Sequence, residues 1–107
     1  MNETVEILKR AREIIAAPGA WTKGKDAINE KGEGVNPKSP NACAFCSYGA
    51  VLREVPLGEH FRVIDILREA LPKGYEMISL YNDHSITSHD DVLALFDRAI
   101  EISKAKA

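Results

Sequence analysis

Residues 42–52 constrain the fold of this chain most strongly, because almost every residue there is apolar or small. Upstream, Ser39 suits a helix N-cap and Pro40 suits the first helical position. The pattern predicts a helix over residues 39–54. Because a helix that is apolar on every side is buried on every side, we expect this one at the centre of the core.

Amphipathic segments on both sides of this run predict further helices, since their apolar residues recur at helical spacing. These segments are residues 3–16, 59–71 and 89–103. Asn2 is a candidate N-cap for the first, and Ser88 with Asp91 forms a capping box for the last. Residues 75–83 fit a short helix or a strand, and we expect the helix.

Residues 19–39 interrupt the helical pattern, because they are rich in glycine, asparagine, lysine and proline. Two short extended pieces around a polar glycine turn, within residues 24–36, fit a small β-hairpin, and an ordered loop is the alternative. Trp21 is expected to pack this excursion onto the core. The predicted fold is mainly α, a compact bundle of four to five helices with a small hairpin or ordered loop between the first two, forming one globular domain over residues 1–107.

The charge balance argues against two classes of partner. Fourteen lysines and arginines against sixteen aspartates and glutamates give a net charge of −2, without the basic excess typical of a nucleic-acid-binding surface. No apolar run approaches the roughly 20 residues of a membrane helix, and no secretory signal pattern is evident. We therefore expect no nucleic acid, no membrane, and a cytoplasmic protein whose two cysteines are reduced.

A resemblance to a known family extends through most of the chain. Residues 45–51 have the sequence Phe-Cys-Ser-Tyr-Gly-Ala-Val. Three further pieces follow the same order as in that family: Trp21-Thr22 with Gly24, Tyr81-Asn82-Asp83, and the last helix from Asp91-Val92-Leu93 to Asp97-Arg98-Ala99. Together they resemble a family of short bacterial and phage proteins, domain of unknown function 6197, whose members carry a Trp-Cys-Ala-x-Gly-Ala-Leu helix.

The chain departs from that pattern at several positions. Phe45 and Tyr81 stand where the family has tryptophan. Cys46 matches the family's cysteine, whereas Cys43 is a local addition, which weakens any mechanism that needs both thiols. The resemblance implies no activity, so it leaves the function open.

A thiol-dependent hydrolase or transferase is one functional hypothesis. Cys46 would be the nucleophile, His84 or His89 the base, and Asn82 or Asp83 the orienting group. Against it, a thiol buried in a central helix packs as a small hydrophobe and is hard for a substrate to reach. A redox pair of cysteines is disfavoured on the same ground.

A zinc site is a second alternative, since Cys43, Cys46, His84 and His89 would supply four suitable ligands. The C-x₂-C and H-x₄-H spacings are acceptable, but the 37 residues between the two pairs are far more than a zinc finger uses. No metal site and no cofactor are therefore favoured.

The favoured function is non-enzymatic: a small helical domain that acts as a protein-interaction or accessory factor, with self-association as the alternative to a separate protein partner. Asn82 and Asp83 most simply build a turn by hydrogen bonding nearby backbone. As binding residues, the sequence points to Trp21, Tyr81, Asn82 and Asp83, because polar and aromatic residues in connecting segments often carry function.

Overall fold

The computed structural model describes residues 3–56 and 60–106. Five helices and one two-stranded antiparallel sheet make up this part of the chain. In chain order they are α1 (Glu3–Ala16), β1 (Ala27–Ile28), β2 (Ala44–Phe45), α2 (Ser47–Glu54), α3 (His60–Ala70), α4 (Ile78–Asp83) and α5 (His89–Lys106). The predicted mainly-α fold, with a small hairpin between the first two helices, is confirmed.

The core lies where α1, α3 and α5 meet, because each of these helices turns its apolar stripe inward. Leu8, Leu67 and Phe96, one from each helix, have no exposed surface. Each such side chain contributes about 1.5–3 kcal/mol by its removal from water. α2 packs against α1 and closes the core from the side of the sheet.

The capping box that opens α5 is formed as predicted. The backbone N–H of Asp91 donates to Ser88 Oγ at 3.1 Å, and the N–H of Ser88 donates to the Asp91 carboxylate at 2.9 Å. The hydrogen bond from the Ser88 N–H, with a further contribution from the Ser88 side chain, holds the pKa of the Asp91 carboxyl group below its usual value. The predicted helix within residues 75–83 is also confirmed, as the shorter α4. Two predicted helix-start residues, Asn2 and Glu59, lie outside the described residues.

The predicted helix over residues 39–54 is wrong in its first half, because α2 begins only at Ser47. Ser39 does not cap a helix; its Oγ accepts from the N–H of Asn41 at 3.1 Å within a turn. The chain then enters β2, where the N–H of Phe45 donates to the carbonyl of Ala20 at 2.9 Å. Pairing with a distant segment has overridden local helix propensity here.

The sheet joins two segments that are distant in sequence. Ala27 faces Phe45 and Ile28 faces Ala44, in antiparallel register. The turn predicted within residues 24–36 does form, but it contributes only an isolated bridge from Ile28 to Gly34. Residues 44–45, which had been assigned to a helix, are therefore the second strand of the hairpin.

The two cysteines, which the predicted helix over residues 39–54 would contain together, lie on either side of β2. Cys43 is exposed and precedes β2, whereas Cys46 is buried at the N-cap of α2.

Candidate functional site

The first turn of α2 is capped by two side chains from different parts of the fold. Cys46 has an extended backbone, and its Sγ accepts from the N–H of Gly49 at 3.2 Å. The N–H of Ser47 donates to Asn82 Oδ1, from α4, at 3.0 Å. Because the first amides of a helix have no partner within it, these contacts stabilise its start.

Gly49 lets this helix turn lie directly against the backbone that enters β1. A Cβ atom at Gly49 would stand 1.8 Å from the carbonyl oxygen of Asp26. That same carbonyl accepts from the N–H of Cys46 at 3.1 Å. Gly49 lies in the segment that the sequence predicts as a central helix, and the neighbour it contacts is the backbone that enters β1. The approach also brings the Asp26 side chain beside Cys46.

Asn82 ties together α2, α4 and the segment that follows α1. Its Oδ1 accepts from Trp21 Nε1 at 2.8 Å and from Ser47 Oγ at 2.7 Å, in addition to the Ser47 N–H. Its Nδ2 donates to the carbonyl of Thr22 at 3.1 Å and to Asp83 Oδ1 at 2.9 Å. The side chain is only 1% exposed, so its polar atoms serve the interior of the protein.

The two aromatic candidates lie beside this network. The Trp21 ring is partly buried and stacks on His89, with centroids 5.5 Å apart. Tyr81 is buried and packs edge-on against Tyr75. Neither Trp21 nor Tyr81 contributes to the wall of the pocket described next.

A pocket of about 660 Å³ opens where the entry to β1, the start of α2, α3 and α4 converge. Its size lies within the range of about 300–1,000 Å³ typical of ligand sites. Its lining residues are Gly24, Lys25, Asp26, Cys46, Tyr48, Ile64, Arg68, Met77, Ile78, Ser79 and Asp83. Cys46 and Asp83, two of the predicted site residues, thus share one pocket, while Asn82 does not line it.

The Cys46 thiol forms a buried, neutral part of the pocket wall. Burial, together with the charges of Asp26 and Asp83, raises its pKa from 9.0 to about 11, against the opposing effect of the Gly49 and Tyr48 amides. The thiol is therefore protonated at neutral pH, and it donates to Asp26 Oδ1 at 3.8 Å. A thiol held in this form is a poor nucleophile.

Asp26 and Asp83 place two carboxylates at this part of the pocket. Asp83 Oδ1 accepts from the N–H of Gly24 at 2.9 Å, and Asp26 Oδ1 accepts from Cys46. Both aspartates are exposed. Across residues 3–56 and 60–106, neither of them forms an ion pair with a lysine, arginine or histidine.

The structure does not bring either candidate histidine to Cys46. His84 ends α4 in an exposed position, and its Nδ1 accepts from the N–H of Ile86 at 3.3 Å. His89 stacks on Trp21, and its Nε2 donates to the carbonyl of Ile15. Neither histidine lines the pocket.

The four proposed zinc ligands also lie apart. Cys43 lines a separate, smaller pocket of about 400 Å³ beside the hairpin turn. In the described part of the chain, no three or more His, Cys, Asp or Glu side chains form a group that could hold a metal ion.

Sequence reasoning missed Asp26, Tyr48 and Arg68 as pocket residues. Asp26 lies in a loop rich in lysine and glycine, where a single aspartate is unremarkable. One signal was available: Gly49, which costs a helix about 1 kcal/mol relative to alanine, implies a close neighbour. The sequence alone did not show that this neighbour is the Asp26 backbone.

Together, the fold and the pocket define a small helical domain with a hairpin insertion and a ligand-sized cleft at the start of its second helix. The chain belongs to the family of unknown function DUF6197, whose family model matches residues 1–102. Neither the curated proteins nor the solved structures contain a match to it. Among the described helices, none is long and apolar enough to cross a membrane.

Proposed function

We propose that this chain is a non-enzymatic binding domain that serves as a protein-interaction or accessory factor, and that the pocket at the start of α2 is its binding site. The observation that carries this proposal is the composition of the pocket wall. Exposed carboxylates at Asp26 and Asp83 stand with apolar side chains from α3 and α4 in one preformed cleft. Recognition sites combine an apolar wall with a few placed polar groups in this way.

A thiol-dependent enzyme has less support from the same geometry. Cys46 is 6% exposed and protonated at neutral pH, and its sulfur is engaged with Gly49 and Asp26. A nucleophilic thiol needs a base within hydrogen-bonding reach, whereas His84 and His89 lie away from this pocket. Free cysteines at positions 43 and 46 fit our proposal that the protein works in a reducing compartment such as the cytoplasm.

Filling the pocket tests the proposal. Ser79 is an exposed pocket residue on α4, so Ser79→Trp would occupy the cleft without disturbing the core. Ser85 is exposed and outside the pocket, so Ser85→Trp is the matched control. Each variant and the wild-type chain would be immobilised, incubated with extract of the source cells, and analysed for retained proteins by quantitative mass spectrometry.

We expect one or more proteins to be retained by the wild type and by Ser85→Trp, and to be depleted about ten-fold by Ser79→Trp, which corresponds to about 1.4 kcal/mol of binding free energy. Equal retention by all three chains, with the fold of each verified by circular dichroism, would show that the pocket is not the interaction site.

A further inference from the structure

We propose that the pocket receives a long basic side chain, of the lysine type, presented by a polypeptide partner. This inference rests on the proposed function and specifies the chemistry of its partner. It follows from two pocket carboxylates that form no ion pair with the described residues, from the apolar wall beside them, and from the apolar surface that continues outside the pocket.

Two carboxylates in the pocket wall, those of Asp26 and Asp83, form no ion pair within residues 3–56 and 60–106. Asp26 Oδ1 lies 3.8 Å from Cys46 Sγ, and Asp83 Oδ1 is held by the N–H of Gly24 at 2.9 Å. Each aspartate thus has one oxygen engaged within the protein, while its Oδ2 makes no hydrogen bond to the described residues. Both carboxylates line the pocket together with Cys46, and the negative charge of each raises the pKa of its thiol.

Lys25 and Arg68 also line the pocket and balance the formal charge of the two aspartates, but neither forms an ion pair with them in the described part of the chain. Lys25 directs its Nζ to the carbonyl of Gly32 at 3.3 Å, within the hairpin turn. Arg68 is exposed on the last turn of α3 and forms no ion pair with any residue described by the structure. An incoming ammonium group would therefore meet two carboxylates that have free oxygens. Charge-assisted hydrogen bonds of this kind are about twice as strong as neutral ones.

The apolar wall suits the aliphatic part of the same side chain. Ile64 from α3, and Met77 and Ile78 from the start of α4, line the cleft together with the two aspartates. Met77 is 54% exposed, so its side chain offers surface to an incoming group. Lysine places a flexible chain of methylenes behind its charge and buries that chain along apolar surface while the ammonium group stays among polar partners.

A polypeptide is favoured over a free amine because apolar surface extends beyond the cleft. Phe61 is 66% exposed and lies one helical turn before Ile64 on the same side of α3. Exposed aromatic residues beside a pocket are typical anchors of protein interfaces. A free amine would fill the cleft but would leave Phe61 uncovered.

Titrating the full chain with matched short peptides, followed by amide NMR, tests this inference. The probe is acetyl-Gly-Lys-Gly-amide, and its neutral counterpart replaces lysine with norleucine. We expect the lysine peptide to shift the Cys46 and Ile78 signals with a dissociation constant of about 1 mM or lower, and the norleucine peptide to bind about ten-fold more weakly.

Neutralising either carboxylate should remove that preference. Asp26→Asn and Asp83→Asn each keep an oxygen that can accept the existing hydrogen bond, and each should weaken lysine binding about ten-fold. Asp65 is exposed on α3 and outside the pocket, so Asp65→Asn makes the same change in net charge and should leave the affinity unchanged.

Equal binding of the lysine and norleucine peptides would overturn the inference, as would an equal loss in the Asp65 control. Binding of hexylamine as tightly as the lysine peptide would assign the site to free amines and refute the polypeptide source. If the lysine peptide fails to bind while Ser79→Trp still abolishes partner retention, the proposed function stands and this inference alone is wrong.

Discussion

Replacing Asn82 with alanine should destabilise the protein more than any change in its surface residues, because Asn82 joins three segments through one buried amide. The substitution removes the acceptor for the N–H and Oγ of Ser47, a residue with no exposed surface, and the acceptor for Trp21 Nε1. A buried donor left without a partner costs about 1–3 kcal/mol.

The expected loss in the free energy of unfolding depends on which of these donors can find another hydrogen-bond partner. The Ser47 N–H is fixed by the helix and bears the full cost, while the Ser47 hydroxyl can rotate and bears less. Trp21 is only partly buried, so its indole can reach water. We therefore expect a loss of about 3 kcal/mol in the free energy of unfolding, which lowers the melting temperature by about 12 °C for a domain of this size.

Urea unfolding followed by circular dichroism would measure this loss. Asn41→Ala is the matched control, because Asn41 is exposed and its side chain makes no hydrogen bond to the described residues; its expected effect is within about 0.5 kcal/mol. Asn82→Asp is a second variant: it keeps an acceptor but sets a carboxylate against Asp83, so its destabilisation should lessen as acid protonates that pair. A cost below about 1 kcal/mol for Asn82→Ala would refute the reasoning.

Two further predictions concern the start of α2. Gly49→Ala should lower the free energy of unfolding by about 3 kcal/mol, because the new Cβ would meet the Asp26 carbonyl oxygen at 1.8 Å. Gly34→Ala is the control: the nearest atom to its new Cβ is 3.4 Å away, so it should cost less than about 1 kcal/mol. Equal costs for the two variants would contradict the close packing at Gly49. In a Cys43→Ser background, Cys46 should titrate near pH 11, as followed by thiolate absorbance. Because the folded state holds that proton more tightly, stability should be full below pH 9 and fall between pH 9 and about 11; titration at or below pH 9 would exclude the buried neutral thiol.

Most of the helical framework was predictable because its signals are local. The apolar stripes of α1, α3 and α5 repeat at helical spacing, and each of these helices lies within about three residues of its predicted bounds. The capping box needs only Ser88 and Asp91, which are three positions apart, so it too could be predicted from the sequence.

The candidate site was only partly predictable. Cys46 and Asp83 were chosen for their chemistry and do lie at one pocket, but the histidines chosen to accompany Cys46 lie elsewhere. Asn82 was proposed as a site residue, yet its hydrogen bonds are all made within the protein. Residue type alone can identify candidate site residues. Which side chains accompany them depends on the segments that the fold brings together.

The sequence by itself therefore determined the helices whose apolar periodicity and capping residues lie close together along the chain. Only the tertiary structure decided that residues 44–45 form a strand, that Cys46 caps a helix, and that Asp26 and Asp83 share a pocket. The physical reason is that each of these outcomes depends on backbone contact between distant segments. The central one is the approach of the Asp26 carbonyl to Gly49, which only a residue without a side chain permits.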